Sequence, residues 1–124
     1  MAKTTKQRLL VADDDHDFCD YVRMAAEKMG FEVAVTNDGA TFKRRYESFD
    51  PTIIVLDMVM PDMDGVELVR WLAERHCNAV IMMVTGLEPK FARMARDLGT
   101  ARGLNMRAFQ KPMSLGDLRT ALSA

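Results

Sequence analysis

One carboxylate, Asp57, directly follows a run of four apolar residues, Ile53 to Leu56. Such a run is typical of a strand that is buried on both faces, and a turn containing Pro61 and Gly65 comes next. A charge at the end of a buried strand is costly unless it meets a partner, a metal or solvent. Ligands of open α/β sheets bind at the carboxyl ends of the strands. Asp57 is therefore a candidate site residue.

Other polar side chains follow other apolar runs. Asp13 and Asp14 come after the first predicted strand, Thr85 comes at the end of the fourth, and Lys111 follows the fifth. The ends of parallel strands open on one edge, so these groups should meet there. Two close carboxylates repel by roughly 4 kcal/mol at an effective dielectric constant of 20, and a cation such as Mg2+ relieves that repulsion. An ammonium and a hydroxyl beside such a metal indicate a phosphoryl group as substrate. The next acid, Asp15, suits a helix N-cap.

Apolar runs alternate with helical periodicity along the chain. Strands are predicted at 9–12, 31–36, 52–56, 79–84 and 106–110, each followed by a helical pattern. This alternation favours an α/β fold in which a parallel sheet is covered by helices on both faces. We expect one domain over residues 1–124. The fourth helix is marked by five apolar residues at helical spacing, Phe91, Met94, Ala95, Leu98 and Ala101.

The composition argues against several classes of partner. The formal net charge of -1 gives no electrostatic reason to expect direct binding to nucleic acid or to a membrane. The two cysteines are isolated, and no segment resembles a signal peptide or a membrane span. The expected location is therefore the reducing cytoplasm.

The motifs together resemble the receiver domain of two-component response regulators, related to the chemotaxis receiver. The matching segments are residues 10–15, 53–65, 83–86 and 110–112, so the resemblance extends over nearly the whole chain. It implies a flavodoxin-like (βα)5 fold whose five-stranded parallel sheet has the order 2-1-3-4-5. It also implies Mg2+-dependent transfer of a phosphoryl group from a phosphohistidine. The donor would be a sensor histidine kinase or a histidine phosphotransfer protein, and the result would switch an unknown output protein or domain.

The resemblance also assigns roles to individual residues. Asp57 would be the phosphoacceptor, while Lys111 and Thr85 would contact oxygens of the phosphoryl group. The chain would catalyse only its own phosphorylation and dephosphorylation and would not be an enzyme in the usual sense. The ligands of Mg2+ would be Asp57, Asp14, Asp13 through water, and the main-chain carbonyl of Val59.

Two features depart from the family's pattern in the last third of the chain. The segment from Thr85 to Lys111 is longer than in the chemotaxis-type receiver, which predicts a fourth helix running to about Arg102. Ala108 occupies the position of the family's switch aromatic. Phe109 cannot simply replace that ring, because neighbouring strand residues face opposite ways. A homodimer through the fourth helix, fifth strand and fifth helix is left open.

A further expectation concerns the lifetime of the acyl phosphate. Val59 and Leu87, which stand two residues beyond Asp57 and Thr85, are both apolar. In receivers these positions flank the path of the attacking water. Neither side chain can position that water by hydrogen bonding, so slow dephosphorylation is expected.

Three alternatives remain at this point. A phosphatase of the haloacid-dehalogenase type also uses a strand-end Asp, but it needs a second Asp where this chain has Val59. A flavin-binding module is disfavoured because the acidic residues after the first strand would repel the flavin phosphate. A pseudo-receiver that acts only as a protein-interaction module would not need the complete set of chemical residues found here.

Overall fold

The computed structural model describes residues 6–86 and 88–123. In chain order its elements are β1 (Arg8–Ala12), α1 (His16–Lys28), β2 (Glu32–Thr36), α2 (Gly39–Phe49), β3 (Ile53–Leu56), β4 (Val59–Met60), β5 (Met63–Asp64), α3 (Gly65–Glu74), β6 (Val80–Thr85), α4 (Pro89–Ala101), β7 (Asn105–Gln110) and α5 (Leu115–Ser123).

Five of these strands form one parallel sheet of order β2-β1-β3-β6-β7. Counted among themselves, these strands have the order 2-1-3-4-5, so the expected flavodoxin-like fold is confirmed. Each begins and ends within one residue of its predicted bounds. The two-residue strands β4 and β5 pair with each other as a hairpin in the loop after β3, and this hairpin was not predicted.

The sheet is covered on both faces, which explains its near-continuous apolar strands. Along β3, Ile54 and Leu56 pack against α2, α3 and α4. The alternate residues Ile53 and Val55 pack against α1 and α5. Within the described parts of the chain, no helix is long and apolar enough to span a membrane.

The helix α4 packs through a face that matches the predicted one only in part, since Ala95 is buried and Leu98 half-buried as predicted. Phe91 and Met94 are exposed, and the buried residues are Ala92, Ala95 and Gly99. The prediction was wrong for Phe91 and Met94 because it followed large apolar residues, whereas close packing here requires small ones. A Cβ atom on Gly99 would lie 2.6 Å from Cγ of Met106 on β7. Small residues therefore let α4 approach the sheet closely.

The length of α4 agrees with the prediction. The helix ends at Ala101, and Arg102 is its C-cap. Gly103 follows with a φ of +89°, a left-handed conformation that glycine adopts without a steric penalty. The lengthened segment is thus taken up by helix and not by a loop.

Candidate functional site at the carboxyl edge of the sheet

The main chain fixes the candidate residues where the strands end. The Asp57 N–H donates to the carbonyl of Ala12 at 2.9 Å, directly after β3. The Lys111 N–H donates to the carbonyl of Thr85 at 2.9 Å, directly after β7. The strand hydrogen bonding thus continues one residue beyond the strands, so the site residues are as firmly placed as the sheet itself.

Asp13 is fully buried, and every part of it has a partner. One carboxylate oxygen accepts from Nζ of Lys111 at 2.8 Å, and the other accepts from the N–H of Asp15 at 2.9 Å. The carbonyl of Asp13 accepts from Nδ2 of Asn37 at 2.9 Å and from the thiol of Cys19 at 3.2 Å. These partners offset the cost of burying the polar groups of Asp13.

Asp57 is also buried, but it has weaker partners. Its carboxylate lies 3.7 Å from Nζ of Lys111 and accepts a long hydrogen bond of 3.4 Å from the N–H of Val59. Burial, and next the negative charge of Asp13, raise the pKa of Asp57 to about 6, although Lys111 and the Val59 N–H act in the opposite direction. The charge on Asp57 is therefore incompletely neutralised by the protein.

Lys111 is held between these carboxylates and an aromatic ring. Its Nζ lies 4.4 Å from the centre of the Phe18 ring, a cation–π distance. Burial acts to lower the pKa of Lys111, but the hydrogen bond to Asp13 and the surrounding carboxylates outweigh it and raise that pKa above its ordinary value. Lys111 is therefore a fixed positive charge beside Asp57.

Three carboxylates converge in a way that suits a hard divalent cation. Oxygen atoms of Asp13, Asp14 and Asp57 lie within 4.8 Å of one another, and Asp14 is the exposed member. Oxygen donors with one side open to water are the ligands that Mg2+ prefers. Burial and next the charge of Asp13 raise the pKa of Asp57, and a bound cation would favour its ionised form. The donor set therefore fits Mg2+.

The loop after β3 turns sharply at a glycine. The N–H of Gly65 donates to the carbonyl of Met58 at 2.6 Å, and a Cβ at position 65 would lie 2.8 Å from Cα of Met58. Only glycine permits this approach. Asp64 then caps α3 by accepting from the N–H of Glu67 at 2.8 Å. The same turn carries Val59, whose side chain is exposed.

Asp62 ties this loop to the next helix, and the sequence reasoning missed it. Its two carboxylate oxygens accept from the N–H groups of Gly39 and Ala40, at 2.7 and 3.0 Å, at the start of α2. These hydrogen bonds lower the pKa of Asp62, as expected for a carboxylate at a helix N-terminus. Nothing in the spacing of Asp62 indicates a contact 23 residues away.

The sequence reasoning also missed Asn37. This residue directly follows β2, so the argument from strand ends could have found it.

The structure brings together Asp13, Asp14, Asp57 and Lys111, as the sequence predicts. Thr85 ends β6 and is buried, and Val59 starts β4, two residues beyond Asp57. Asp15 caps α1 by accepting from the N–H of Phe18 at 3.1 Å, so its predicted role as a cap is confirmed. Leu87 lies outside the described residues.

Comparison with known proteins decides the family. The model of the response regulator receiver domain matches residues 9–123. The chain belongs to this family.

Curated relatives of this receiver include two regulators. CpdR, a response regulator receiver protein of Brucella abortus, is 33% identical over 112 residues, which cover 90% of each chain. TrcR, a transcriptional regulatory protein of Mycobacterium tuberculosis, is 30% identical over 111 residues. The match covers 90% of the receiver but only 42% of TrcR.

A crystal structure of a CheY-like receiver domain protein from Methanospirillum hungatei has a TM-score of 0.83 at 23% identity, with 96% of this chain and 92% of that chain covered. At this identity the likeness shows the fold.

Membership defines the general function. The chain is a phosphoacceptor receiver of two-component signalling, not an enzyme of the usual kind. Such receivers work with a histidine kinase and an output, and they use Mg2+ at an acidic pocket like the cluster around Asp57.

Proposed function

We propose that Asp57 is the residue that accepts the phosphoryl group. The observation that carries this proposal is the position of Lys111, whose Nζ is 2.8 Å from Asp13 and 3.7 Å from Asp57. The shorter contact pairs the charge of Asp13 with the ammonium of Lys111, so Asp13 is not available for another role as a nucleophile. The longer one leaves the Asp57 carboxylate available as a nucleophile, with a positive charge beside it for an incoming phosphoryl oxygen.

The transfer is a displacement at phosphorus. An oxygen of the Asp57 carboxylate forms a bond to phosphorus while the bond to the imidazole nitrogen of the kinase phosphohistidine breaks, and the electron pair leaves with that nitrogen. The Lys111 ammonium contacts one oxygen of the phosphoryl group, and the Thr85 hydroxyl contacts another. Both contacts stabilise charge that is spread over the equatorial oxygens in the transition state.

In this proposal Asp14 and Asp57 would hold Mg2+ directly, together with the main-chain carbonyl of Val59, and Asp13 would act through water. When bound, the metal neutralises charge between the carboxylates and the phosphoryl group. The exposure of Asp14 supports its role as the ligand on the solvent side, while buried Asp13 remains bound to Lys111.

Dephosphorylation is the attack of water on the same phosphorus, which releases phosphate and restores the Asp57 carboxylate. Val59 stands two residues beyond Asp57, and its side chain is exposed. Val59 offers no hydrogen bond to water, so a slow reaction is expected. The whole chain, residues 1–124, would act as one receiver, with a sensor histidine kinase or a histidine phosphotransfer protein as donor.

The proposal is tested by the intact mass of the protein after incubation with acetyl phosphate and Mg2+. The parent should gain one phosphoryl group. The Asp57→Asn variant should gain none, because the amide is not a nucleophile, while Asp97→Asn, at an exposed position on α4, should be modified like the parent. Full modification of the Asp57→Asn variant would refute the assignment.

A further inference from the structure

Phe18 connects the first turn of α1 to the lysine at the carboxyl edge of the sheet. Its ring centre lies 4.4 Å from Nζ of Lys111, and its N–H donates to the carboxylate of Asp15 at 3.1 Å. The N–H of Asp15 donates to one carboxylate oxygen of Asp13 at 2.9 Å, and Nζ of Lys111 donates to the other at 2.8 Å. These residues therefore form a closed cycle of contacts that begins and ends at Asp13.

The cycle occupies two sides of the Lys111 ammonium, which has three N–H donors. Asp13 accepts from the ammonium at 2.8 Å, and the half-buried Phe18 ring lies on another side at a cation–π distance. The carboxylate of Asp57 is 3.7 Å from Nζ, which is longer than an ordinary hydrogen bond. The side of the ammonium toward Asp57 is therefore the one that the cycle leaves for a new partner.

We propose that Phe18 is a positioning residue for phosphoryl transfer, because its ring keeps the Lys111 ammonium directed toward Asp57, where a phosphoryl oxygen would arrive. The face of the ring attracts the ammonium electrostatically and excludes water from that side. A charge that is already in place does not have to reorganise in the transition state. The proposal deepens the proposed function and rests on it, since it takes Asp57 as the phosphoacceptor.

An aliphatic side chain at position 18 would not do the same. Leucine keeps apolar area against the lysine stem but lacks the negative face of an aromatic ring. The Lys111 side chain is already 20% exposed, so without the ring its ammonium would turn toward water. Loss of the ring should therefore slow phosphorylation at saturating Mg2+ and leave the metal ligands as they are.

The first test changes the charge distribution of the ring with little change in its shape. Phenylalanine carrying one, two or three fluorine atoms is placed at position 18 of the full chain, because fluorine weakens the attraction of a ring for a cation. Intact mass then gives the initial rate of modification by acetyl phosphate at saturating Mg2+. The rate should fall with each fluorine, to roughly a third of the parent rate with three. The same series at Phe31, a buried ring directly before β2, should leave the rate unchanged.

Ordinary substitutions give a second, independent comparison. Phe18→Leu should lower the rate by roughly threefold to tenfold, whereas Phe18→Trp, which keeps an aromatic face, should retain most of it. Calorimetric titration should show the same Mg2+ affinity for both variants and for the parent. Met24→Leu, at an exposed position on the same helix, is the matched control and should react like the parent.

Magnetic resonance of the lysine ammonium groups reports the geometry itself. In nitrogen-15-labelled protein the Lys111 ammonium, assigned by its loss in Lys111→Met, should give a resolved signal in the parent and in Phe18→Trp, because it is held and shielded from water. The signal should broaden or vanish in Phe18→Leu. Beryllofluoride with Mg2+, which mimics the phosphoryl group, should shift the parent signal, since the ammonium then gains a partner at Asp57.

Several results would overturn the proposal. These are a rate that does not depend on fluorination at position 18, an equal fall in the Phe31 series, equal slowing by Phe18→Leu and Phe18→Trp, and a Lys111 signal that neither variant nor beryllofluoride alters. The intact mass of the parent and of Asp57→Asn reports the proposed function separately. A parent that gains one phosphoryl group at a rate independent of fluorination would refute the role of Phe18 alone. Modification of Asp57→Asn at the parent rate would refute Asp57 as phosphoacceptor, whatever the fluorination series shows.

Discussion

The carboxyl edge of the sheet and the α4–β7 side differ in how they are packed. At the edge, Asp13 is buried with a partner for each polar group, and Lys111 is held by two carboxylates and a ring. Between α4 and β7, Gly99 lies close to the side chain of Met106, and a pocket of about 240 Å³ remains. The pocket reaches the edge at Thr85 and Gln110, the last residues of β6 and β7.

The difference indicates that the edge serves phosphoryl transfer and that the α4–β7 side serves the conformational response. Transfer of a phosphoryl group needs charges held in one geometry, since a preorganised site does not have to reorganise during the reaction. A response needs an element with a second arrangement of similar free energy. The close helix contact through Gly99, next to unfilled space at Ala108, makes α4 the best candidate for such an element. The exposed Phe91 and Met94 are further apolar area that a shift of α4 could bury.

The largest effect is expected when the fixed positive charge at the edge is removed. Lys111→Met removes the ion-pair partner of the buried Asp13, which lies beside Asp57, so without metal the free energy of unfolding should fall by about 3 kcal/mol. Mg2+ should restore part of it. Urea unfolding with and without Mg2+ measures both, with Lys28→Met on the exposed side of α1 as control. A stability equal to that of the parent would contradict the view that the edge depends on this charge.

A smaller and pH-dependent effect is expected for Asp57→Asn. Burial raises the pKa of Asp57 to about 6. The contribution of this carboxyl to the free energy of unfolding is therefore fully present below its unfolded pKa of about 4, and it is lost as the pH rises through about 6. The asparagine variant avoids this loss. Without metal it should match the parent near pH 4 and exceed it by about 2 kcal/mol at pH 7. Urea unfolding at both pH values checks this, and a constant difference between them would contradict the stated cause.

Overfilling the contact of α4 should have a still smaller effect on stability. Gly99→Val places methyl groups against Met106, which can adjust, so the free energy of unfolding should fall by about 1–2 kcal/mol. Thr100→Val, at the exposed neighbouring position, is the matched control. Calorimetric titration should show unchanged Mg2+ affinity for both variants. Weaker metal binding by Gly99→Val would show that the two regions are not separate.

The smallest effect is expected at the tether between the β4–β5 hairpin and α2. Asp62→Ala removes the hydrogen bonds to Gly39 and Ala40, which loosens the hairpin that carries the Val59 carbonyl. Mg2+ affinity should fall by roughly tenfold or less, as for other residues that orient metal ligands. Asp97→Ala is the control, and calorimetric titration is the measurement. If the affinity is unchanged, Asp62 has only a local structural role.

The sequence predicted the edge better than the α4–β7 side for a physical reason. Strand ends follow from apolar runs, and parallel strands bring their ends to one edge, so Asp13, Asp57 and Lys111 could be placed together without knowing their contacts. The position of Asp15 as a cap also follows from local chemistry. These are short-range rules that one chain is enough to apply.

The faces of α4 depend on packing between distant elements. Phe91 and Met94 satisfy helical periodicity, yet they are exposed, because the inner face carries the small residues Ala92, Ala95 and Gly99, the last in close contact with Met106. The Asp62 tether is likewise a contact that no local pattern specifies, whereas the β4–β5 hairpin lies within the turn predicted at Pro61 and Gly65. The sequence predicted only that position 108 lacks an aromatic ring. It could not predict the pocket there, because the volume of the pocket depends on the position of α4.

Amide hydrogen exchange with and without beryllofluoride, in the presence of Mg2+, tests most directly the claim that the edge stays fixed while α4 responds. The account predicts that exchange changes beyond direct protection of the Asp57 loop concentrate in α4 and β7, with β1 and β3 unchanged. Changes confined to the loop that carries Asp57, with none in α4 or β7, would contradict it.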